Sequence, residues 1–172
     1  MSGKYKNRKY DVEPYNPKWK VRFKEEARVL SSIFGASAIK IEHIGSTAVP
    51  GLAGKPTIDI LVVVDNIKVV DSFIEQMRVA GYKSLGEYVM PGARLFVREV
   101  DNNRLVNIHV FPKDHSHIKE MLNLRDYLCS HPELVKEYSQ LKYDLFKKYP
   151  GDYGEYRKYK DQWMERLKNK TK

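Results

Sequence analysis

The chain has 172 residues, of which 42% are hydrophobic and 31% charged, a composition typical of one globular domain with its own core. The formal net charge is +9, and within the first 24 residues eight lysines and arginines face only Asp11 and Glu13. A basic tail of this kind can bind polyanions, but such tails are more often merely solvated, so nucleic-acid binding is not the expected function.

Targeting and membrane signals are absent from the sequence. No stretch approaches the roughly 20 apolar residues of a membrane span, and the basic residues 1–9 have no apolar signal core behind them. The single Cys129 excludes an intramolecular disulfide. We therefore expect a cytoplasmic single domain over residues 1–172, in which residues 1–11 form a basic, flexible tail; the oligomeric state stays open.

The first half of the chain predicts a helix and two strands. Asn16-Pro17 supplies a helix start, and apolar residues then recur at helical spacing until Gly35. Residues 38–44 are typical of a strand. Residues 57–64 form a nearly continuous apolar run, which predicts a strand buried on both faces. The intervening loop therefore links two strands at the edge of a core.

The second half predicts a sheet extension followed by a helical region. The periodicity predicts a helix over 67–80 and a strand near 82–88. The Asx-rich turn 101–103 predicts a hairpin of strands 94–100 and 105–111. Breaker residues divide the rest, residues 113–172, into helices that we expect to pack on the sheet as part of the same domain. These helices span about 115–129, 132–148 and 152–168.

The loop between the first two strands carries residues suited to phosphate. Gly45 lets the backbone approach a ligand, and the hydroxyls of Ser46 and Thr47 can donate to phosphate oxygens. Lys55 adds a positive charge to the same group. The alternative interpretation is a simple turn, which is the commoner meaning of so short a pattern.

Asp59 is a single carboxylate within a buried apolar strand. Burying it is costly unless it binds a metal or a cation. One alternative is an internal ion pair with Lys55 or Arg94; the nearby loop favours a role in a site.

Gly45-Ser46 followed by Asp59 on a hydrophobic strand resembles the signature of the nucleotidyltransferase superfamily. That resemblance implies a mixed sheet flanked by helices, an α/β (α+β) fold, and two divalent metals held by paired carboxylates two residues apart. Here the second position of the pair is Leu61.

A second resemblance rests on four blocks of the sequence: residues 12–19, 42–60, 107–111, and 124–128 with 131–134. In these blocks the chain is more closely similar to the GrpB-like family of that superfamily, whose members usually carry the same single aspartate. Some relatives are fused to dephospho-CoA kinase, which implies a connection to coenzyme A metabolism by association alone.

His109 lies roughly where the superfamily places its third carboxylate. A lone strand histidine is more often structural, but the resemblance makes a catalytic or ligand role an equal alternative. Asp59, His109 and either Glu42 or His43 are the candidate metal ligands. Such a set suits zinc, manganese or iron better than magnesium, whose shell is all oxygen.

The C-terminal helices contribute further candidates. Arg125 either pairs with Asp126 or places its guanidinium over the phosphate cleft. Lys142 and Lys160 can face a polyanionic ligand, although helix lysines are usually solvated. The helical stripe of tyrosines that begins at Tyr138 is ordinary packing.

Two functions follow from these residues. In the first, the protein binds a nucleotide or phosphorylated ligand and transfers a nucleotidyl group, with Ser46 on the phosphates, a divalent metal (Mg, Mn or Zn) on Asp59, and Lys55 or Arg125 neutralising charge. In the second, it is a non-catalytic accessory module that binds a metabolite or a protein. Leu61 distinguishes the two, because an enzyme would need substitute ligands around Asp59.

Overall fold

A computed structural model describes residues 8–88 and 90–170, and within them one mixed five-stranded sheet runs in the order β1-β2-β5-β4-β3. The strands are β1 Ala38–Ile44, β2 Ile58–Val64, β3 Lys83–Ser84, β4 Arg94–Val100 and β5 Asn103–Pro112. β2 pairs in parallel with β5, and the other neighbours are antiparallel. The predicted α/β fold with a mixed sheet is confirmed.

Helices flank the sheet, and three of them form the C-terminal part of the chain. Their bounds are α1 Lys18–Phe34, α2 Ile74–Val79, α3 Ser116–Cys129, α4 Pro132–Lys148 and α5 Tyr153–Lys168. Short 3-10 turns cover Gly35–Ser37, Ser46–Ala48 and Ile67–Phe73. In the part of the chain that the structure describes, none of the helices is both long and apolar enough to cross a membrane.

The two faces of the sheet are covered differently. Alternate residues of β2, from Ile58 to Val64, join Leu30 and Phe34 of α1 in the main core. On the other face, Leu61 and Val63 pack with residues of α3. Asp59 points to this second face at the beginning of β2, and this orientation positions the site described below.

Two predicted elements differ from the structure. The helix predicted over 67–80 is a 3-10 segment, Ile67–Phe73, followed by the short α2. Asn66 caps the start of the 3-10 segment by accepting a hydrogen bond from the Lys68 amide. The strand predicted near 82–88 is only Lys83–Ser84. Both elements lie where they were predicted, but the type of the first helical segment and the length of the strand were wrong, because apolar spacing in short segments does not distinguish these conformations.

The beginning of the described chain is held against the C-terminal helices. Residues 1–7 of the predicted flexible tail lie outside the described residues. Tyr10 packs on Phe146, Tyr153 and Tyr156, with ring centres 5.2, 5.3 and 4.8 Å from its own. Residues near Tyr10 therefore belong to the folded part of the chain.

Candidate functional site

A cleft of about 520 Å³ lies between the sheet face that carries Asp59 and helices α3 to α5. Its acidic side chains are Asp59 and Glu99. Its basic side chains are more numerous: Arg8, Lys55, Arg104, Arg125, Lys142, Arg157 and Lys160. An excess of positive charge of this kind favours an anion over a cation in the cleft.

Asp59 is held at the cleft floor by its neighbours on β5. Asn107 Nδ2 donates to Asp59 Oδ1 at 2.7 Å, and His109 Nε2 lies 3.9 Å from the same oxygen. The Asp59 side chain is 28% exposed, so a ligand can reach it. Burial opposes ionisation, but His109, Asn107 and the charge of Lys55 outweigh it and lower the pKa of Asp59. Asp59 is therefore an anion at neutral pH.

Gly45 brings the loop backbone against this carboxylate. Its φ of 73° and ψ of −170° form a conformation that glycine alone adopts readily. A Cβ at Gly45 would lie 2.7 Å from Asp59 Oδ2, which is closer than real Cβ contacts. The glycine is thus required both for the turn and for the close approach to Asp59.

Ser46 meets a buried lysine on the opposite wall. Lys142 Nζ donates to Ser46 Oγ at 2.6 Å and to the Ala53 carbonyl at 2.7 Å. Lys142 is only 1% exposed. Burial, with the charges of Lys160 and Lys55, lowers the pKa of Lys142 well below its ordinary value. A Cβ at Gly54 would lie 2.9 Å from the Ser46 Cβ, so this glycine leaves room for the contact.

Sequence reasoning placed Lys142 on a helix and expected it to be solvated, and this expectation was wrong. The signal that could have identified it is its position four residues after Tyr138 and three before Leu145, inside the buried stripe of α4. A lysine in an apolar stripe requires an explanation that a lysine on a polar face does not.

Two more lysines face the cleft around Tyr153. Lys55 Nζ donates to the Tyr153 hydroxyl at 2.8 Å, and burial lowers the pKa of Lys55. Burial would raise the pKa of Tyr153, but Lys55, Arg8 and Lys160 lower it overall. Lys160 Nζ lies 3.0 Å from Asp161 Oδ1; burial disfavours its charge, yet Tyr138 and Asp161 raise its pKa overall.

Thr47 and His43, both candidate site residues, lie away from the cleft. Thr47 is 2% exposed and its Oγ1 is 2.9 Å from His43 Nε2. The His43 ring stacks on Phe23, and pairing with Ile60 places it on the face opposite Asp59. Burial lowers the pKa of His43 to about 4, against the weaker opposing effect of Asp59. These contacts fix the loop, and the structure does not bring His43 to the Asp59 side.

Arg125 and Glu42 are paired at the rim of the cleft. Arg125 Nη1 donates to Glu42 Oε2 at 2.9 Å and to the His43 carbonyl at 3.0 Å. Its Nε donates to Asp126 Oδ1 at 2.8 Å. Arg125 therefore pairs with Asp126 and also lies beside the cleft, so the two alternatives from the sequence are present together.

The donors around Asp59 do not fit a pair of divalent metals. Within residues 8–88 and 90–170, no three His, Cys, Asp or Glu side chains are grouped so that they could hold a metal ion. Leu61 occupies the next position on the Asp59 face, and Glu42, opposite it on β1, is bound by Arg125. Asp59 and His109 remain as two candidate donors, fewer than such ions require.

Comparison with known proteins identifies relatives over nearly the whole chain. The family model "GrpB protein" matches residues 9–170. The UPF0157 protein YqkA of Bacillus subtilis is 38% identical over 98% of this chain, which spans 49% of that protein. Glutamate-rich protein GrpB of Alkalihalophilus pseudofirmus is 35% identical over 90% of this chain and 91% of its own length.

Solved structures agree with these matches. The crystal structure of the conserved protein GrpB from Enterococcus faecalis has a TM-score of 0.89 at 33% identity and covers 94% of this chain and 96% of its own. Cid1 poly(U) polymerase has a TM-score of 0.54 at 10% identity, covering 79% of this chain and 44% of that one, which is a likeness of fold alone.

A more distant match is to a larger protein named as a kinase. A dephospho-CoA kinase of Mycolicibacterium paratuberculosis is 25% identical over 88% of this chain, which spans 43% of that protein. The chain therefore has the fold of the GrpB structure, and its mixed sheet also has a distant likeness of fold to the Cid1 polymerase. Since the family model covers nearly all of the sequence and the GrpB structure superposes over almost its full length, this chain belongs to the GrpB family.

Proposed function

We propose that the cleft binds the phosphate chain of a nucleotide or nucleotide-like metabolite. The observation that carries this proposal is the buried Lys142, whose amine donates to a hydroxyl and a carbonyl, both uncharged groups. Keeping an ammonium in such surroundings is costly unless an anion enters beside it. Ser46 and the nearby Lys55 and Lys160 line the same cleft and add further phosphate donors.

The rest of the cleft suits the less polar part of such a ligand. Leu95, Met121, Leu124 and Met164 all line it, and methionine side chains adapt to flat apolar groups. Ligand sites commonly combine an apolar lining with a few placed charges. A nucleotide has both kinds of surface, whereas inorganic phosphate would leave the apolar part of the cleft unfilled.

The proposal is for binding, and two-metal transfer is not part of it. Among the residues that the structure describes, no further carboxylates converge on Asp59 and His109 as such chemistry requires. A non-catalytic module that recognises a phosphorylated metabolite is therefore favoured over a two-metal transferase. The match to dephospho-CoA kinases makes coenzyme A precursors reasonable ligands to test beside common nucleotides.

Titration calorimetry in EDTA with ATP, dephospho-CoA and inorganic tripolyphosphate tests this proposal. We expect at least one of these compounds to bind. The Lys142→Met substitution is expected to weaken the affinity for that compound about tenfold or more, because a charge-assisted contact is lost. Lys136→Met, which removes an exposed lysine from the same helix, is the matched control and is expected to bind normally.

A second variant guards against misfolding of Lys142→Met. Ser46→Ala removes only the hydroxyl that accepts a hydrogen bond from the Lys142 amine, and it is also expected to lower the affinity for the same ligand. The proposal fails if the wild-type protein binds none of the three compounds. It also fails if both variants bind as tightly as the Lys136→Met control.

A further inference from the structure

The N-terminal arm, residues 8–13, brings a second kind of cationic group to the cleft. Arg8 is among the lining residues, although it precedes the first helix by ten positions and belongs to none of the regular elements. Its Nε is buried without a hydrogen-bond partner among the described residues. Leaving a charged donor buried and unsatisfied is costly, so this nitrogen requires an explanation.

The surroundings of Arg8 are themselves positively charged. Its guanidinium lies 4.3 Å from the centre of the Tyr153 ring, and Lys55 Nζ lies 4.4 Å from the same centre. Arg8 is one of the charges that lower the pKa of Lys55, which means that the two cations repel each other. An anion bound between them would relieve this repulsion and supply an acceptor for Arg8.

The arm is anchored so that Arg8 is held near this position. Two residues later, Tyr10 donates its hydroxyl to the Tyr149 carbonyl and packs among aromatic rings of the C-terminal part. Further along, Glu13 and Gly54 exchange backbone hydrogen bonds of 2.9 and 3.0 Å. The arm is thus tied both to the helices and to the loop that carries Lys55.

We propose that Arg8 is a ligand-binding residue, which reaches into the cleft from the N-terminal arm and contacts the same polyphosphate group as Lys55. This inference rests on the proposed function and extends it to a residue outside the sheet and helices. Arginine suits the role, because its planar fork stacks on Tyr153 while its N–H groups remain directed to an anion. The basic start of the sequence therefore includes a specific binding group.

Calorimetry with inorganic tripolyphosphate on the full chain tests the inference with four variants. Arg8→Met is expected to weaken binding about tenfold or more, because it removes a charge-assisted donor. Lys9→Met removes the same charge from the adjacent, exposed position and is expected to stay within about twofold of wild type. Lys142→Met reports on the proposed function itself.

The outcomes separate the two proposals. If Lys142→Met weakens binding and Arg8→Met does not, the proposed function stands and the role of Arg8 is overturned. Equal losses in Arg8→Met and Lys9→Met would also overturn it, since net charge would then explain both. If wild-type protein does not bind tripolyphosphate or the nucleotides, both proposals fail. Arg8→Lys keeps the positive charge but not the planar guanidinium, and its affinity for tripolyphosphate is expected to lie between those of the wild type and Arg8→Met.

A structural readout accompanies the affinities. Trypsin can cleave after Arg8 and after Lys9, and intact-mass analysis identifies each product. Tripolyphosphate is expected to slow cleavage after Lys9 in the wild-type protein, because bound ligand holds the arm against the cleft. In Arg8→Met the Lys9 site remains, and we expect its protection by the ligand to be lost. Full protection in Arg8→Met would contradict a direct contact with Arg8.

Discussion

At the scale of single residues, the cleft depends on two glycines that bring backbone and side chains into contact. Gly45 leaves space for Asp59 Oδ2, and Gly54 leaves space for Ser46 and Lys142. The motif resembles a phosphate-binding loop in sequence, but part of its function here is steric. Ser46 reaches Lys142 only because Gly54 has no side chain to separate them.

Gly45→Ala is expected to destabilise the protein by about 2–4 kcal/mol, through unfavourable dihedral angles and the collision with Asp59. Urea denaturation measures the change. Gly92→Ala is the matched control, since Gly92 has a similar φ of 76° and no neighbour within 4 Å of an added Cβ. If both variants lose the same stability, the contact with Asp59 contributes nothing and backbone strain accounts for the whole effect.

His43 links the loop to the pH dependence of stability. Its pKa in the folded protein is about 4, below the ordinary 6.5, so the unfolded chain binds more protons between these values. The free energy of unfolding is therefore expected to fall by about 1–2 kcal/mol as the pH is lowered from 6.5 to 4, after allowance for partial solvent exposure. Urea denaturation across this range measures it, and His43→Gln should reduce the slope. A His43→Gln curve parallel to the wild-type curve would contradict this origin.

At the scale of elements, the β4–β5 hairpin shows local sequence determining local structure. Asp101 and Asn102 have φ of 48° and 62°, a turn conformation for which Asx residues are suited. Asn102→Val is expected to cost about 1–2 kcal/mol, because a β-branched residue fits this conformation poorly. Asn103→Val, one residue later at the start of β5, is expected to cost much less stability. Thermal melts of the two variants measure both losses. Comparable losses at the two positions would show that the turn conformation does not limit stability.

Elements with strong local signals were predictable, and elements fixed by distant contacts were not. The caps and breakers of α4, together with the apolar runs of β1 and β2, gave bounds within one residue of those observed. The 3-10 segment Ile67–Phe73 and the short β3 have no comparable signal. The pairing of Ser46 with Lys142 joins residues 96 positions apart, so no local pattern could indicate it. The sequence therefore predicts the floor of the cleft at Asp59 and names the lysines of its wall as candidates, but it does not predict the pairing of Lys142 with Ser46.

At the scale of the whole molecule, many of the basic residues behind the net charge of +9 line the cleft. The cleft collects basic groups from the N-terminal arm, the loop before β2, the β4–β5 hairpin and helices α3 to α5. Bringing them together costs stability through mutual repulsion, and burial of Lys142 and Lys55 adds a desolvation cost. Under the proposed function, this arrangement trades stability for the capacity to bind anions.

This trade predicts that ligand binding takes up protons. The pKa values of Lys142 and Lys55 are lowered in the unliganded protein, and a bound polyphosphate would raise them towards the ordinary 10.5. Binding is therefore expected to take up protons at a pH at which these amines are partly neutral, and affinity should rise as the pH falls. Calorimetry in buffers of different ionisation enthalpy measures the uptake, once the protonation of the phosphate itself has been subtracted. Lys142→Met is expected to remove most of the proton uptake that is left after this subtraction, while Lys136→Met should retain it. Proton release, or equal uptake in these two variants, would show that the buried amine does not respond to the ligand.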